Sequence, residues 1–198
     1  MKTVFFDVDT QLDFLSPAGG LAVPGAQEIV QPLTELTKFA AANRIQILST
    51  VDAHSEDDPE FKSWKPHCVA GTTGQQKAAG TLLNQPLVLT TAAQALDQIR
   101  SRVPDAGQII IEKQMLDCFT NPNLRPLLKM LSADRYVVYG VVTELCVRCA
   151  AFGLLETGAQ VELVTDAIKS LTAPAERETI ERFAAQGGRL TTVSAVTG

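Results

Sequence analysis

The chain has 198 residues, 45% of them hydrophobic and 20% charged, with a formal net charge of −5. Such a balance describes an ordinary soluble globular protein, read as one domain over residues 1–198 that can bury a full core without staples. With 17 scattered basic residues the chain has no phosphate-tracking surface for nucleic acid, and no run approaches the ~18 apolar residues of a membrane span.

Taken in chain order, apolar β-type runs alternate with amphipathic stretches. Val4 to Val8 reads as a buried strand, and Ala26 to Asn43 carries Ile29, Val30, Leu33, Leu36, Phe39 and Ala40 at helical spacing. A strand is predicted over Ile45 to Thr50. The interval Ser55 to Pro86 shows no convincing helix or strand and holds Pro59, Pro66, Gly71, Gly74 and Gly80, and a loop that long inside a compact domain is usually functional. The pattern then predicts a helix over Ala92 to Arg102, a strand over Gln108 to Glu112, a helix near Pro122 to Leu131 and a strand over Tyr136 to Val142. A helix from Cys146 to Glu156 closes at Gly158 and leads to a strand at Val161 to Thr165. The helix Ala175 to Gln186 ends at Gly187-Gly188 before a last strand, Leu190 to Val193. Alternation of this kind predicts a three-layer α/β/α fold with a doubly wound, mostly parallel six-stranded sheet, whose ligands bind beyond the carboxyl ends of the strands.

Both histidines of the chain fall in one short stretch, where Asp52, His54, Glu60 and His67 offer two carboxylates and two imidazoles. That donor set suits a transition metal, although a pair of surface histidines in an acidic loop would have the same spacing. Three further residues sit at predicted strand ends: Asp9 after the first strand, Lys113 after the strand ending at Glu112, and Cys146 at a helix start beyond Val142. In a parallel sheet all three project from one edge. A cysteine at a helix amino terminus beside an ammonium is favoured as thiolate, and an adjacent carboxylate can take its proton. Taken singly, each also reads as a turn, a solvated lysine or a small buried hydrophobe.

The chain has four cysteines, which do not form a secreted disulfide framework and read as reduced thiols. Cys146-Val147-Arg148-Cys149 is a C-x-x-C, open to a redox reading, but it lies three-quarters along the chain instead of opening the first helix. Cys149 reads as packed against the sheet. The start of the chain meets an acidic residue at Asp7, too early for a signal-peptide core, so the cytoplasm is the expected compartment.

Asp9-Thr10-Gln11-Leu12-Asp13-Phe14 resembles the D-x-Q-x-D-F signature of the isochorismatase-like cysteine hydrolases, and later segments follow in order over essentially the whole chain. Within that superfamily the sequence is most similar to nicotinamidases. Asp52-Ala53-His54, Glu60 and Trp64-Lys65-Pro66-His67-Cys68 match their metal segment, and Gly140-Val141-Val142-Thr143-Glu144-Leu145-Cys146-Val147 matches their nucleophile segment.

The resemblance implies an amidase with an Asp9–Lys113–Cys146 triad, a cis peptide at Val141–Val142, and an oxyanion hole from the backbone amides of Val142 and Cys146. It also implies one divalent metal, zinc foremost with iron or manganese as alternatives, on Asp52, His54 and His67, with Glu60 as a direct or outer ligand. Phe14 and Trp64 match positions that sandwich a substrate ring, with core packing as the plain alternative for Phe14. Two departures stand out: Glu60 replaces a histidine of some relatives, and Gln114 to Phe119 lacks the small and aromatic residues expected beside the pocket. The implied partner is a small carboxamide, nicotinamide above all; homo-oligomerisation is left open. The alternatives are an amidase for an N-carbamoyl or ureido compound, and a non-catalytic binding member of the family.

Overall fold

The computed structural model describes all 198 residues. Its core element is a sheet of seven strands, all paired in parallel: β1 (Thr3–Val8), β2 (Gln46–Asp52), β3 (Leu87–Leu89), β4 (Gln108–Lys113), β5 (Arg135–Val141), β6 (Gln160–Lys169) and β7 (Arg189–Thr191). Seven helices accompany it: α1 (Leu12–Leu15), α2 (Val30–Ala42), α3 (Leu96–Arg102), α4 (Leu124–Leu131), α5 (Arg148–Leu155), α6 (Ala173–Ala185) and α7 (Val193–Thr197). The strand order is β3-β4-β2-β1-β5-β6-β7. β2, β4 and β3 lie on one side of β1, and β5, β6 and β7 on the other, so the switch point lies between β1 and β5.

Alternation along β1 divides the core. Val4, Phe6 and Val8 face a 26-residue apolar cluster that includes side chains of α3, α4, α5 and α6. Phe5 faces a 19-residue cluster with Leu33, Leu36 and Ala40 of α2 and Val193 of α7. This is the three-layer arrangement that the alternating pattern predicts, since each helix buries one apolar stripe against one sheet face.

The sheet has one strand more than predicted. β3 is three residues long, follows Pro86 directly and lies at the edge of the sheet, so it has no room to show a period-2 pattern. The adjacent helix begins at Leu96 instead of Ala92, because side chains claim the preceding backbone: Asn123 accepts from Gln94 N at 2.8 Å and donates to the Ala92 carbonyl at 2.9 Å. The predicted helix from Cys146 also starts later. Residues Thr143–Val147 form a π-helical turn, and α5 proper begins at Arg148. Between β2 and β3 the chain is irregular apart from two single 3-10 turns, Pro59–Lys62 and Ala79–Thr81.

Candidate active site

Parallel register carries the three strand-end residues to one edge. Asp52 and Lys113 are direct register partners at the ends of β2 and β4. Asp9 follows β1 with φ of 50°, in the left-handed region that short polar side chains tolerate. Thr50 on β2 donates to Asp9 Oδ1 at 2.6 Å and fixes that carboxylate. Cys146 arrives from the β5 side, where an added Cβ on Gly140, at φ 121°, would collide with the Val8 carbonyl. Glycine there lets β5 press against the end of β1. The peptide Val141–Val142 that follows is cis, as the resemblance implies.

Lys113 Nζ lies 2.9 Å from Asp9 Oδ2 and 3.5 Å from Cys146 Sγ, and it also donates to Asp52 Oδ1. The site is dry: Asp9 is 0%, Lys113 1% and Cys146 5% exposed. Burial disfavours the Lys113 ammonium, but the carboxylates of Asp52 and Asp9 outweigh it and hold the group charged, well above the ordinary lysine range. Asp52 is pushed up by burial yet brought below the usual carboxylate range by Lys113 and His54, so it is ionised. Asp9 goes the other way. Burial raises its pKa, Lys113 opposes that rise, and the neighbouring Asp52 charge adds to it.

The thiol corrects one expectation. Burial drives the Cys146 pKa well above its ordinary value; Lys113 pulls it down, and Asp9 and Asp52 push it up again. Desolvation outweighs the ammonium, and Cys146 lies in the π-turn ahead of α5 instead of on the first turn of that helix, so the thiol is shifted toward its neutral form. A neutral thiol beside a carboxylate of raised pKa is an acid–base pair. The other cysteines are also free, Cys68 and Cys118 fully buried and Cys149 half-buried, with their pKa values raised by burial.

On the other side of Asp52, ligating atoms of Asp52, His54 and His67 all lie within 4.8 Å of one another. Nε2 of each histidine is 3.9 Å from Asp52 Oδ2, too far for a hydrogen bond. Both Nδ1 atoms are already committed, His54 to Asp58 Oδ2 at 3.0 Å and His67 to the Lys65 carbonyl at 2.7 Å. His54 Nε2 is buried with no partner at all. Imidazoles held through Nδ1 with Nε2 turned toward a shared carboxylate are what a cation between the three would satisfy, so the residues fit a divalent metal. Phe61 packs against both rings, at 5.3 and 5.7 Å between centroids. Glu60 lines the same cavity but stays outside the three-residue cluster. It is half-buried, with its pKa raised by burial and by Asp52.

A narrow cavity between the two groups reaches Asp9, Asp52, Glu60, His67 and Cys146. Phe14 and Trp64 both line it, together with Val141, Val142, Leu145 and Leu171. From the departing segment after Lys113, Leu116 contributes to the wall, whereas Met115 is exposed. Sequence reasoning singled out the chemical residues but not their supports. Thr50 carries no motif of its own. Asp58 had a signal in Asp58-Pro59-Glu60, since its carboxylate caps the 3-10 turn by accepting from Glu60 N.

A parallel α/β/α sheet with acid, ammonium and thiol buried together at its strand ends defines an isochorismatase-like hydrolase. The chain belongs to the Isochorismatase family, whose domain pattern matches residues 3–195. It is 26% identical over 190 residues to the nicotinamidase of Saccharomyces cerevisiae, covering 84% of this chain and 87% of that one. The pyrazinamidase of Pyrococcus horikoshii in complex with zinc superposes with a TM-score of 0.80 at 25% identity, over 97% of this chain and 99% of that one. The N-carbamoylsarcosine amidase of Thermoplasma acidophilum, at 22% identity and TM-score 0.78 over the whole of both chains, shares the fold. No helix is long and apolar enough to cross a membrane.

Proposed function

We propose that the protein is a cysteine amidohydrolase that converts nicotinamide to nicotinate and ammonia, acting as a single domain over residues 1–198. The observation that carries this reading is the position of Lys113 Nζ, within 3.5 Å of both Asp9 Oδ2 and Cys146 Sγ, the two of which line an apolar cavity. Asp9 takes the thiol proton as Cys146 Sγ bonds to the carboxamide carbon. Lys113 keeps Asp9 and the forming thiolate compatible in one dry site, so the three titrate as a unit. The backbone amides of Val142 and Cys146 hold the negative oxygen of the tetrahedral intermediate. Asp9 returns the proton to the amide nitrogen, the C–N bond breaks, and ammonia leaves behind a Cys146 thioester. A water that gives its proton to Asp9 then attacks the thioester, and nicotinate departs as the thiol re-forms.

A divalent metal, zinc foremost, would be held by Asp52, His54 and His67, with Glu60 in the outer sphere, and when bound would supply a Lewis-acidic point for the pyridine nitrogen. Phe14 and Trp64 flank the ring. A neutral aromatic amide suits the wall better than an N-carbamoyl amino acid does. Phe14, Val141, Val142, Leu145 and Leu171 line the cavity, and the one ammonium nearby, Lys113, is already paired with Asp9 and Asp52, so no side-chain cation is left free to receive a substrate carboxylate. Ammonia release from nicotinamide, pyrazinamide and N-carbamoyl compounds, measured beside elemental analysis of the purified protein, tests both parts. Turnover of the carbamoyl compounds with none of nicotinamide would reverse the assignment, and release from no amide would leave a binding protein.

A further inference from the structure

Below the strand ends lies a second buried ion pair that the chemistry above does not use. Lys77 Nζ is 2.7 Å from Asp7 Oδ2, with the two side chains 3% and 0% exposed. Asp7 is on β1, two residues before Asp9, whereas Lys77 belongs to the returning end of the long loop that carries the histidines. The ammonium also donates to Thr10 Oγ1 at 2.6 Å, and Thr10 passes the chain on to Thr81 Oγ1 at 2.9 Å. Ser49 of β2 donates to the same Asp7 oxygen at 3.1 Å, and Gln108 of β4 bonds both Ser49 and the Thr81 carbonyl. Side chains of three adjacent strands thus converge on this one piece of loop.

Energetics alone do not account for such a pair, because taking two charges out of water offsets most of their attraction and apolar residues of similar volume usually hold as well. An ion pair does have direction. Lys77 forms an antiparallel bridge with Gln11, flanked by Leu12 N to the Gln76 carbonyl at 2.8 Å and Ala78 N to the Thr10 carbonyl at 2.9 Å. A slip of one residue would turn residue 77 to the other face, where its ammonium has no Asp7. Gln11, its partner in that bridge, grips Asp52 from both sides, donating to the Asp52 carbonyl at 2.8 Å and accepting from Asp52 N at 2.7 Å, while the same amide donates to the Gln75 carbonyl at 2.8 Å. Asp52 is the residue common to the triad lysine and the histidine cluster.

We propose that the buried Lys77–Asp7 pair fixes the register of the returning loop on Gln11 and, through Gln11, holds Asp52 where it serves both Lys113 and the metal cluster. Lys77 is a positioning residue, remote from the reacting atoms. This inference rests on the reading of Asp52, His54 and His67 as metal ligands, and its test is independent of amide turnover.

The decisive variant is the double substitution Asp7→Asn with Lys77→Met, which removes both charges at nearly constant volume and leaves no unpaired carboxylate behind; Lys77→Met alone serves as the comparison. The double variant is expected to keep the thermal midpoint and iodoacetamide reactivity of the parent, yet to lose zinc affinity about tenfold or more in competition with a chromogenic chelator, the scale on which ligand-orienting partners act. With nicotinamide as substrate, KM should rise more than kcat falls. Parent-like zinc affinity in the double variant overturns the proposal. A double variant that does not fold overturns it as well, by making the pair a stability element. If the parent itself binds no zinc, the metal assignment fails first, and that result is distinct from either.

Discussion

Asp52 of the histidine cluster is bonded to Lys113 of the triad, but the two groups are held in different ways. Asp9, Lys113 and Asp52 stand at the ends of hydrogen-bonded strands, so their relative heights follow from ladder register: Asp52 opposite Lys113, and Val8 opposite Thr50. His54 and His67 ride on irregular chain, and side chains do for them what the ladder does for the triad. Asp58 and the Lys65 carbonyl fix the rings. Asp13 accepts from Cys68 N at 2.7 Å and from Gly20 N at 2.8 Å, pinning the loop beside His67. A catalytic group on a strand end is placed by the fold itself, whereas a ligand on a loop is placed only as well as its individual hydrogen bonds allow.

Breaking the strand-end group should therefore abolish chemistry without loosening the loop. Cys146→Ala is expected to eliminate amide hydrolysis, and with it the iodoacetamide alkylation that Asp9 promotes by taking the thiol proton, while zinc content stays at the parent level. Rapid alkylation at Cys149 or Cys118 with turnover retained would refute the nucleophile assignment. Asp9→Asn should come next, with turnover down by at least ~10²-fold, as for a lost general acid–base, and KM little changed.

Breaking the loop group should have the opposite signature. His54→Ala and His67→Ala are each expected to lose bound metal and raise KM for nicotinamide far more than they slow alkylation of Cys146, and thorough chelation of the parent should reproduce that pattern. Unchanged kinetics in metal-free protein would separate the cluster from catalysis. Asp58→Asn is subtler, since the amide still reaches His54 Nδ1 but no longer carries the charge that orients the imidazole. A loss of about 10–100-fold in metal affinity is expected, with the triad untouched.

The smallest effect is a pH dependence confined to the loop. Burial lowers the pKa of His54, but Asp52, Asp58 and Glu60 outweigh it and hold the imidazole above the ordinary histidine range. In metal-free protein the protonated ring therefore adds stability that is fully present below the unfolded value of ~6.5 and is lost as pH rises through the higher folded value. Metal binding requires the neutral ring, so zinc affinity should fall as pH drops through that raised pKa, beginning above pH ~6.5. Zinc titration across pH 5–9 checks this, and a flat profile would contradict it.

The strand-end group was the more legible of the two in sequence. Asp9 and Lys113 follow apolar runs that can only be strands, so a parallel sheet puts them on one edge whatever the loops do. The loop showed its donor types and little of their arrangement. Glu60 has the right chemistry and sequence position, yet it lies outside the cluster that Asp52, His54 and His67 form. Asp58, two residues earlier, looks like a turn residue and proves to be the partner of His54. Loop geometry depends on contacts distant in sequence, such as Asp13 with Cys68 and Gln11 with Gln75, and no local pattern encodes them.

By itself the sequence determined the layered α/β fold and named the side chains that gather at the strand ends and in the histidine cluster, because hydrophobic period and motif spacing are local properties of the chain. Tertiary structure alone decided that a three-residue edge strand completes a sheet of seven, that Cys146 sits in a π-turn ahead of α5, and that Asp52 joins the two halves of the site. Each of those depends on register and burial, which exist only once residues far apart in the chain have packed together.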